Sequence, residues 1–237
     1  MRILAWSLII ALSCCVGPAT AAPAADAPAS AAAGAVDPEA HYTKDLTKRA
    51  NDIVAALKLD DAAKADRVRE LIIAQYRALR AQHDARDAKL KEIAKDDKAQ
   101  ADTVRADTDA AIKPLHDAFL AKLSAELTPE QVETVKDGMT MGKVKNDYNA
   151  FCDQFLDLTD AQKGYILTQL KEAREIAMDK GSAKEKHDVF GKYRGRINNY
   201  LVKEGYDLKK ASAEWAARRK ARESQAKQAA AATQPAN

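Results

Sequence analysis

Four groupings of residues in this chain carry chemistry that could serve catalysis or recognition. Cys152 and His187 are a thiol and an imidazole, the parts of a nucleophile and its base. Asp153 with Asp157, and Glu172 with Glu175, are carboxylates about one helical turn apart, a spacing that suits acid–base work or a divalent metal. The fourth is the stretch "VFGKYRGRINNYLVKEGYDL", residues 189–208. It holds three tyrosines, a phenylalanine, two arginines and three glycines. Cations beside tyrosines recognise acidic ligands through charge-assisted hydrogen bonds and ring stacking.

The first three groupings have strong structural explanations. Cys152 lies in "YNAFCDQF" among rings and reads as a buried, inert thiol, and nothing in the sequence aligns it with His187. With 31% of residues charged, helices produce carboxylate pairs by chance. The histidines at 41, 83, 116 and 187 show no ligand spacing, and no phosphate-cradling glycine loop precedes a helix. The sequence therefore assigns no catalytic residue, no metal site and no cofactor.

The fourth grouping stands out by charge. From residue 182 to 222 there are twelve lysines and arginines against five carboxylates, an excess of seven in a chain whose net charge is only +3. A total that small does not argue for nucleic acid. Lys192, Arg194, Arg196, Tyr193, Tyr200 and Tyr206 are the candidate contacts, and an acidic glycan or an acidic partner protein is the expected ligand. Helical spacing also places Val189, Tyr193, Ile197, Tyr200 and Leu201 on one apolar stripe, which claims two of those rings for packing. Gly191 and Gly195, four apart, each cost a helix about 1 kcal/mol relative to alanine. Their shared face predicts a close approach, either by a crossing helix or by a planar ligand such as a sugar ring.

The elements that must position these groups are helical throughout. Hydrophobic residues make up 46% of the 237-residue chain and aromatics 5%, a profile of exposed helices with narrow apolar stripes. Val68, Ile72, Tyr76 and Leu79 form one such stripe, and Ile112, Leu115, Phe119 and Leu123 another. "KDDKAQ" at 95–100 turns the chain between them. The expectation is a long antiparallel hairpin, kinked or divided at Pro114, whose far half has little to bury. "TPEQ" at 128–131, "TDAQ" at 159–162 and "SAKE" at 182–185 are capping boxes, and Leu127 with Val132 is placed to staple the first. "KDGMTMGKVKND", with Gly138 and Gly142, reads as a loop. Nine of the thirteen aromatics lie between Tyr148 and Trp215, where a compact core is expected. The fold class is all-α, a helical hairpin over 41–137 followed by a carboxy-terminal helical bundle over 138–222, with six or seven helices and a disordered tail over 223–237.

Residues 1–21 have the order of a signal peptide. Arg2 precedes the apolar run "ILAWSLIIAL", and "ATAA" offers small residues for cleavage near Ala21. The run is too short to span a bilayer comfortably, so no membrane-spanning segment is expected after cleavage. Leu12 and Ser13 fit lipoprotein processing at Cys14 poorly. Residues 22–40 form an Ala/Pro linker. Export to the periplasm or beyond follows, and Cys152, the single cysteine left, cannot form an internal disulfide.

The region 148–215 resembles a bacterial family of exported proteins known as domain of unknown function 3826. The runs "EAREIAMD", "KHDVFGKYRGRINNYL" and "EGYDLKKA" carry the likeness, which extends more loosely back to about residue 42. The resemblance implies an exported, sugar-binding protein and brings no catalytic residue. "LTPEQ" at 127–131 and "LTDAQ" at 158–162 are also similar to the L-T-x-x-Q motif of Spy-like periplasmic chaperones, although capping-box physics accounts for the same residues. The preferred expectation is a non-enzymatic binding protein for an acidic carbohydrate, acting through the basic carboxy-terminal face. The alternatives are a chaperone or scaffold working through the hairpin, and an enzyme acting on envelope or extracellular polysaccharide through a carboxylate pair.

Overall fold

In a computed structural model, which describes residues 37–232, eight α-helices follow one another and no strand appears among those residues. They are α1 (Pro38–Leu57), α2 (Ala62–Glu92), α3 (Lys98–Glu126), α4 (Pro129–Met139), α5 (Lys143–Gln154), α6 (Asp160–Ala177), α7 (Ala183–Lys203) and α8 (Leu208–Ala232). The all-α expectation holds. The expected signal peptide and most of the expected linker lie outside the described residues. Helix α1 starts at Pro38, inside the span expected to be linker, and α8 runs to Ala232, past the start of the expected tail.

Helix starts follow the sequence signals. Thr128, Thr159 and Ser182 each accept a hydrogen bond from the backbone N–H three residues on, and Gln131, Gln162 and Glu185 reach back to complete the boxes. Leu127 and Val132 are both buried in one cluster beside the first box, as a staple requires. Asp61 and Asp97 cap α2 and α3.

Helices α2 and α3 are antiparallel. Arg67, near the start of α2, makes a bidentate pair with Glu126, the last residue of α3, at 3.0 Å for each bond. Their stripes meet as the spacing predicts, with Val68 and Ile72 in one core with Phe119 and Leu123. None of residues 84–111 is buried, so the outer half of the hairpin stands in solvent. Pro114 does not divide α3, which stays one helix across it. The loop expected around Gly138 and Gly142 shrinks to residues 140–142. Met141 and Gly142 both take left-handed conformations there (φ 60° and 61°), and the Gly142 N–H closes the turn on the Asp137 carbonyl at 2.8 Å.

Two cores form. The first is aliphatic, built from α1, α2, α3 and α4 around Ile72, Leu123 and Val135. The second gathers α5, α6, α7 and α8 around Phe151, Ile166, Phe190 and Ile197. Burying one such side chain fully contributes about 2–3 kcal/mol. A charged seam joins the cores. Arg174 of α6, 2% exposed, donates to Asp137 at 2.7 Å and to Glu133 at 2.6 Å, both on α4. Burial pulls the Arg174 guanidinium towards losing its proton, yet these two carboxylates more than offset that and raise its pKa.

Candidate functional site

The carboxy-terminal stretch that looked chemical in the sequence is largely occupied with holding itself together. Tyr193 is buried in the second core. Tyr200 lies against Tyr165, ring centroids 4.0 Å apart. The Tyr206 ring meets Phe155 edge-on at 5.4 Å, and its hydroxyl sits between the Gln162 side-chain oxygen (3.0 Å) and the Asp157 carbonyl (3.2 Å). Arg194 donates to Asp147 at 2.8 Å, and Arg196 lies over the Tyr193 ring at 4.5 Å. Lys192 is exposed and lines a separate surface hollow with Arg86, Arg105 and Asp188. The six residues do not converge.

Arg222 and Arg218 of this region are similarly committed. Arg222 grips Asp153 through both carboxylate oxygens (2.8 and 2.9 Å), and Trp215 donates to the same carboxylate at 2.6 Å. The Trp215 bond, then Arg222, hold the Asp153 carboxyl below its ordinary pKa, which unsuits it for a general acid. Arg218 donates to the carbonyls of Asp153 and Gln154 at the end of α5, where a cation also meets the negative end of the helix dipole. The predicted close approach at Gly191 and Gly195 is absent. A Cβ on Gly195 would meet no atom within 4 Å, and one on Gly191 would meet only Arg194 at 3.8 Å. The close approaches are at Gly138, where a Cβ would lie 2.7 Å from Ile53, and at Gly181, where it would lie 2.8 Å from His83.

The other sequence candidates also disperse. Cys152 is half-buried, not fully buried, at the edge of the second core, and His187 is exposed on α7. Glu175 faces Lys136 at 3.0 Å and Arg174 at 3.2 Å, while Glu172 accepts from Gln169. Among the described residues, no three His, Cys, Asp or Glu side chains are arranged to hold a metal ion.

A concavity that the sequence did not single out lies between α1, α2, the end of α4 and the start of α7. Its volume is about 1080 Å3, large enough for a drug-sized or disaccharide-sized ligand. Leu46, Ile53, Leu79 and Met139 give it apolar walls, with Tyr42 and Tyr76 among them. Gly138 lets α4 lie against Ile53, and Gly181 lets the α6–α7 turn lie against His83, so both close approaches shape its walls.

Its charges fall into two sets. The four carboxylates on the lining all have basic neighbours: Asp45 with His41 (3.4 Å), Asp52 with Lys48 (2.8 Å), Asp84 with Arg80 (3.3 Å) and Asp137 with Arg174 (2.7 Å). Among the cations, Arg80 stacks on Tyr42 and pairs with Glu39, and Lys180 pairs with Asp109. Arg49, Lys145 and Lys186 also line the cleft, and none of the ion pairs among the described residues includes them. The cleft thus presents three cations whose charge is not neutralised by a contacting carboxylate.

Lys186 is the unusual one. It is 8% exposed, and its ammonium donates to the Met139 carbonyl at 2.9 Å, with the Met178 carbonyl at 3.5 Å. Met139 ends α4 and Met178 caps α6, so one amine closes two helix C-termini. Burial nevertheless disfavours the charged form and brings its pKa down to about 8; Asp179 opposes the fall and Arg49 adds to it. Burial pushes the Tyr76 phenol the other way, up to about 12, so it keeps its proton as a donor.

Sequence reasoning missed this cleft because its charged members are scattered over α1, α5 and α7. One signal was present: Lys186 falls at the spacing of the buried stripe of α7, four residues before Phe190. The model of a family described as "Protein of unknown function (DUF3826)" matches residues 43–221, which take in both cores. No curated protein matches the chain.

Proposed function

The chain belongs to the family described as protein of unknown function DUF3826, and we propose that it is a non-enzymatic binding protein whose cleft takes a small acidic carbohydrate. One observation carries this reading: on a lining whose carboxylates all have basic neighbours, Arg49, Lys145 and Lys186 are left to meet an anion. A sugar ring offers apolar C–H faces to Leu46, Ile53, Tyr42 and Tyr76, while its carboxylate takes hydrogen bonds from the cations. This reading prefers the cleft to the carboxy-terminal face, where Tyr193 is buried and Arg194 is paired with Asp147. Export rests on the residues 1–21 pattern. Among the described residues, no helix is long and apolar enough to cross a membrane.

The chaperone reading draws less support. The outer hairpin offers an unfolded client only sparse apolar residues, Leu90, Ile93 and Val104. The enzyme reading asks for two carboxylates free to exchange protons in a pocket, and on the cleft lining Asp52, Asp84 and Asp137 are held by Lys48, Arg80 and Arg174.

Calorimetric titration with gluconate and with glucuronate oligomers tests the proposal. Acidic sugars bind, neutral ones of equal size bind far more weakly, and affinity falls as salt is raised. Arg49→Ala with Lys145→Ala lowers affinity roughly tenfold to a hundredfold, the worth of one or two lost charge-assisted bonds. Arg194→Ala with Arg196→Ala leaves it unchanged. Equal binding of neutral and acidic sugars would sink the reading.

A further inference from the structure

Lys186 is the buried lysine among the described residues, and its surroundings bear on reactivity as well as charge. An ammonium facing a carboxylate is fixed as a cation. This one faces carbonyl oxygens, at 2.9 and 3.5 Å, and the Tyr76 ring, whose centroid is 5.7 Å from Nζ. Carbonyls accept hydrogen bonds from a neutral amine as well as from an ammonium, so the site tolerates both forms. The Met139 and Tyr76 that flank Nζ both line the cleft, so the amine stands at its wall. Asp179 favours the charge on Lys186 without contacting it and Arg49 disfavours it, and Arg49 has no contacting carboxylate of its own.

The geometry points to a covalent capture site: the Lys186 amine condenses reversibly with the aldehyde or ketone carbon of a small oxo acid whose carboxylate rests on Arg49. This deepens the binding reading and rests on the cleft being the ligand site. The ammonium first gives a proton to water. The nitrogen lone pair then forms a C–N bond to the carbonyl carbon, and the carbonyl oxygen takes up a proton to become a hydroxyl. Loss of that hydroxyl as water, with formation of the C=N bond, leaves an imine. Amine plus carbonyl gives imine plus water, with no oxidant or reductant needed. The Tyr76 phenol, which burial keeps protonated, is a hydrogen-bond donor for the developing oxygen. The open-chain form of a uronic acid has both groups, as do the simpler 2-oxo acids.

The test is reductive trapping on the full chain with glyoxylate or pyruvate and borohydride, followed by intact mass and peptide mapping. One adduct per chain is expected, on Lys186, although many exposed lysines compete. The trapping rate falls about tenfold per pH unit below about 8, following the neutral amine. Gluconate, which has a carboxylate but no aldehyde or ketone, slows trapping by occupying the cleft, and Arg49→Ala slows it far more with glyoxylate than with acetone, which feels only the change in amine protonation. Lys186→Arg abolishes the adduct. Because Lys186 also closes two helices, circular dichroism of that variant accompanies the measurement, and the competition and pH arms use the unaltered chain. Adducts spread over exposed lysines with Lys186 unmodified would overturn the proposal, as would acetone and glyoxylate trapping equally with and without Arg49. Gluconate binding without trapping defeats capture alone, whereas failure of gluconate to bind defeats the binding reading.

Discussion

The two helical halves differ in their rings and in where they leave an open cleft. In α5–α8 the rings are dense, and many of them and of the arginines are spent internally: Tyr200 on Tyr165, Arg194 on Asp147, Arg222 and Trp215 on Asp153. In α1–α4 rings are sparser and the packing is mostly aliphatic, while five of its seven arginines are in ion pairs of their own. Yet this half supplies most of the cleft wall, with Arg49 facing no carboxylate. The lesson is that a density of chemical-looking residues marks a site only when those residues lack partners in the fold. Counting charges along the chain cannot show which are already paired.

The comparison is broken most directly at the seam. Arg174→Met removes the cation between Glu133 and Asp137 and is expected to cost about 2 kcal/mol, because half-exposed Asp137 loses its counter-charge while Glu133 keeps Lys136 and Lys171. Urea denaturation followed by circular dichroism reads this as a lower midpoint. Separation into two transitions would show the halves to be independently stable, and an unchanged midpoint would refute the seam's role.

Titration sharpens the comparison next, since two junction groups have opposite signs. Lys186 has its pKa lowered from 10.5 to about 8, so the folded state disfavours its proton. That cost is full below pH 8 and is relieved as pH rises from about 8 to 10.5, a gain of about 3 kcal/mol. His116 behaves oppositely. Its hydrogen bond to Asp179 raises its pKa above 6.5, outweighing burial. The stability it contributes is full below pH 6.5 and is lost as pH climbs through the raised value. Unfolding free energy should therefore decline above pH 6.5 and recover above pH 8. His116→Asn removes the first limb and Lys186→Met the second; a profile unchanged by either variant would contradict these assignments.

The smallest expected effects test the glycines, one in each half. Gly195→Ala should raise stability by about 1 kcal/mol, since α7 gains helix propensity and the new methyl meets nothing. Gly138→Ala should lower it by a similar amount or more, since Ile53 sits 2.7 Å from the new Cβ and must move. Thermal melts showing the same sign for both would refute the close contact between α1 and α4 at Gly138.

Much of the secondary structure was legible in the sequence because its causes are local. Threonine and serine caps, with a partner three residues on, act within one turn, and the stripes on α2 and α3 need only helical period. The loop around Gly138 was misjudged because glycine there serves a neighbouring helix and not a turn. Gly191 and Gly195 misled for the converse reason: nothing approaches them. The cleft was hidden because Arg49, Lys145 and Lys186 are far apart in the chain, and their lack of carboxylates depends on which carboxylates other helices engage.

By itself, then, the sequence determined an all-helical chain, its three capping boxes and the solvent-facing outer hairpin, since propensity, capping and hydrophobic period act over a few residues. Only the tertiary structure decided which cations remain without carboxylates and that Lys186 is buried at the ends of α4 and α6. Pairing and burial are properties of distant segments brought together, and the free energy of a charge depends on what then surrounds it.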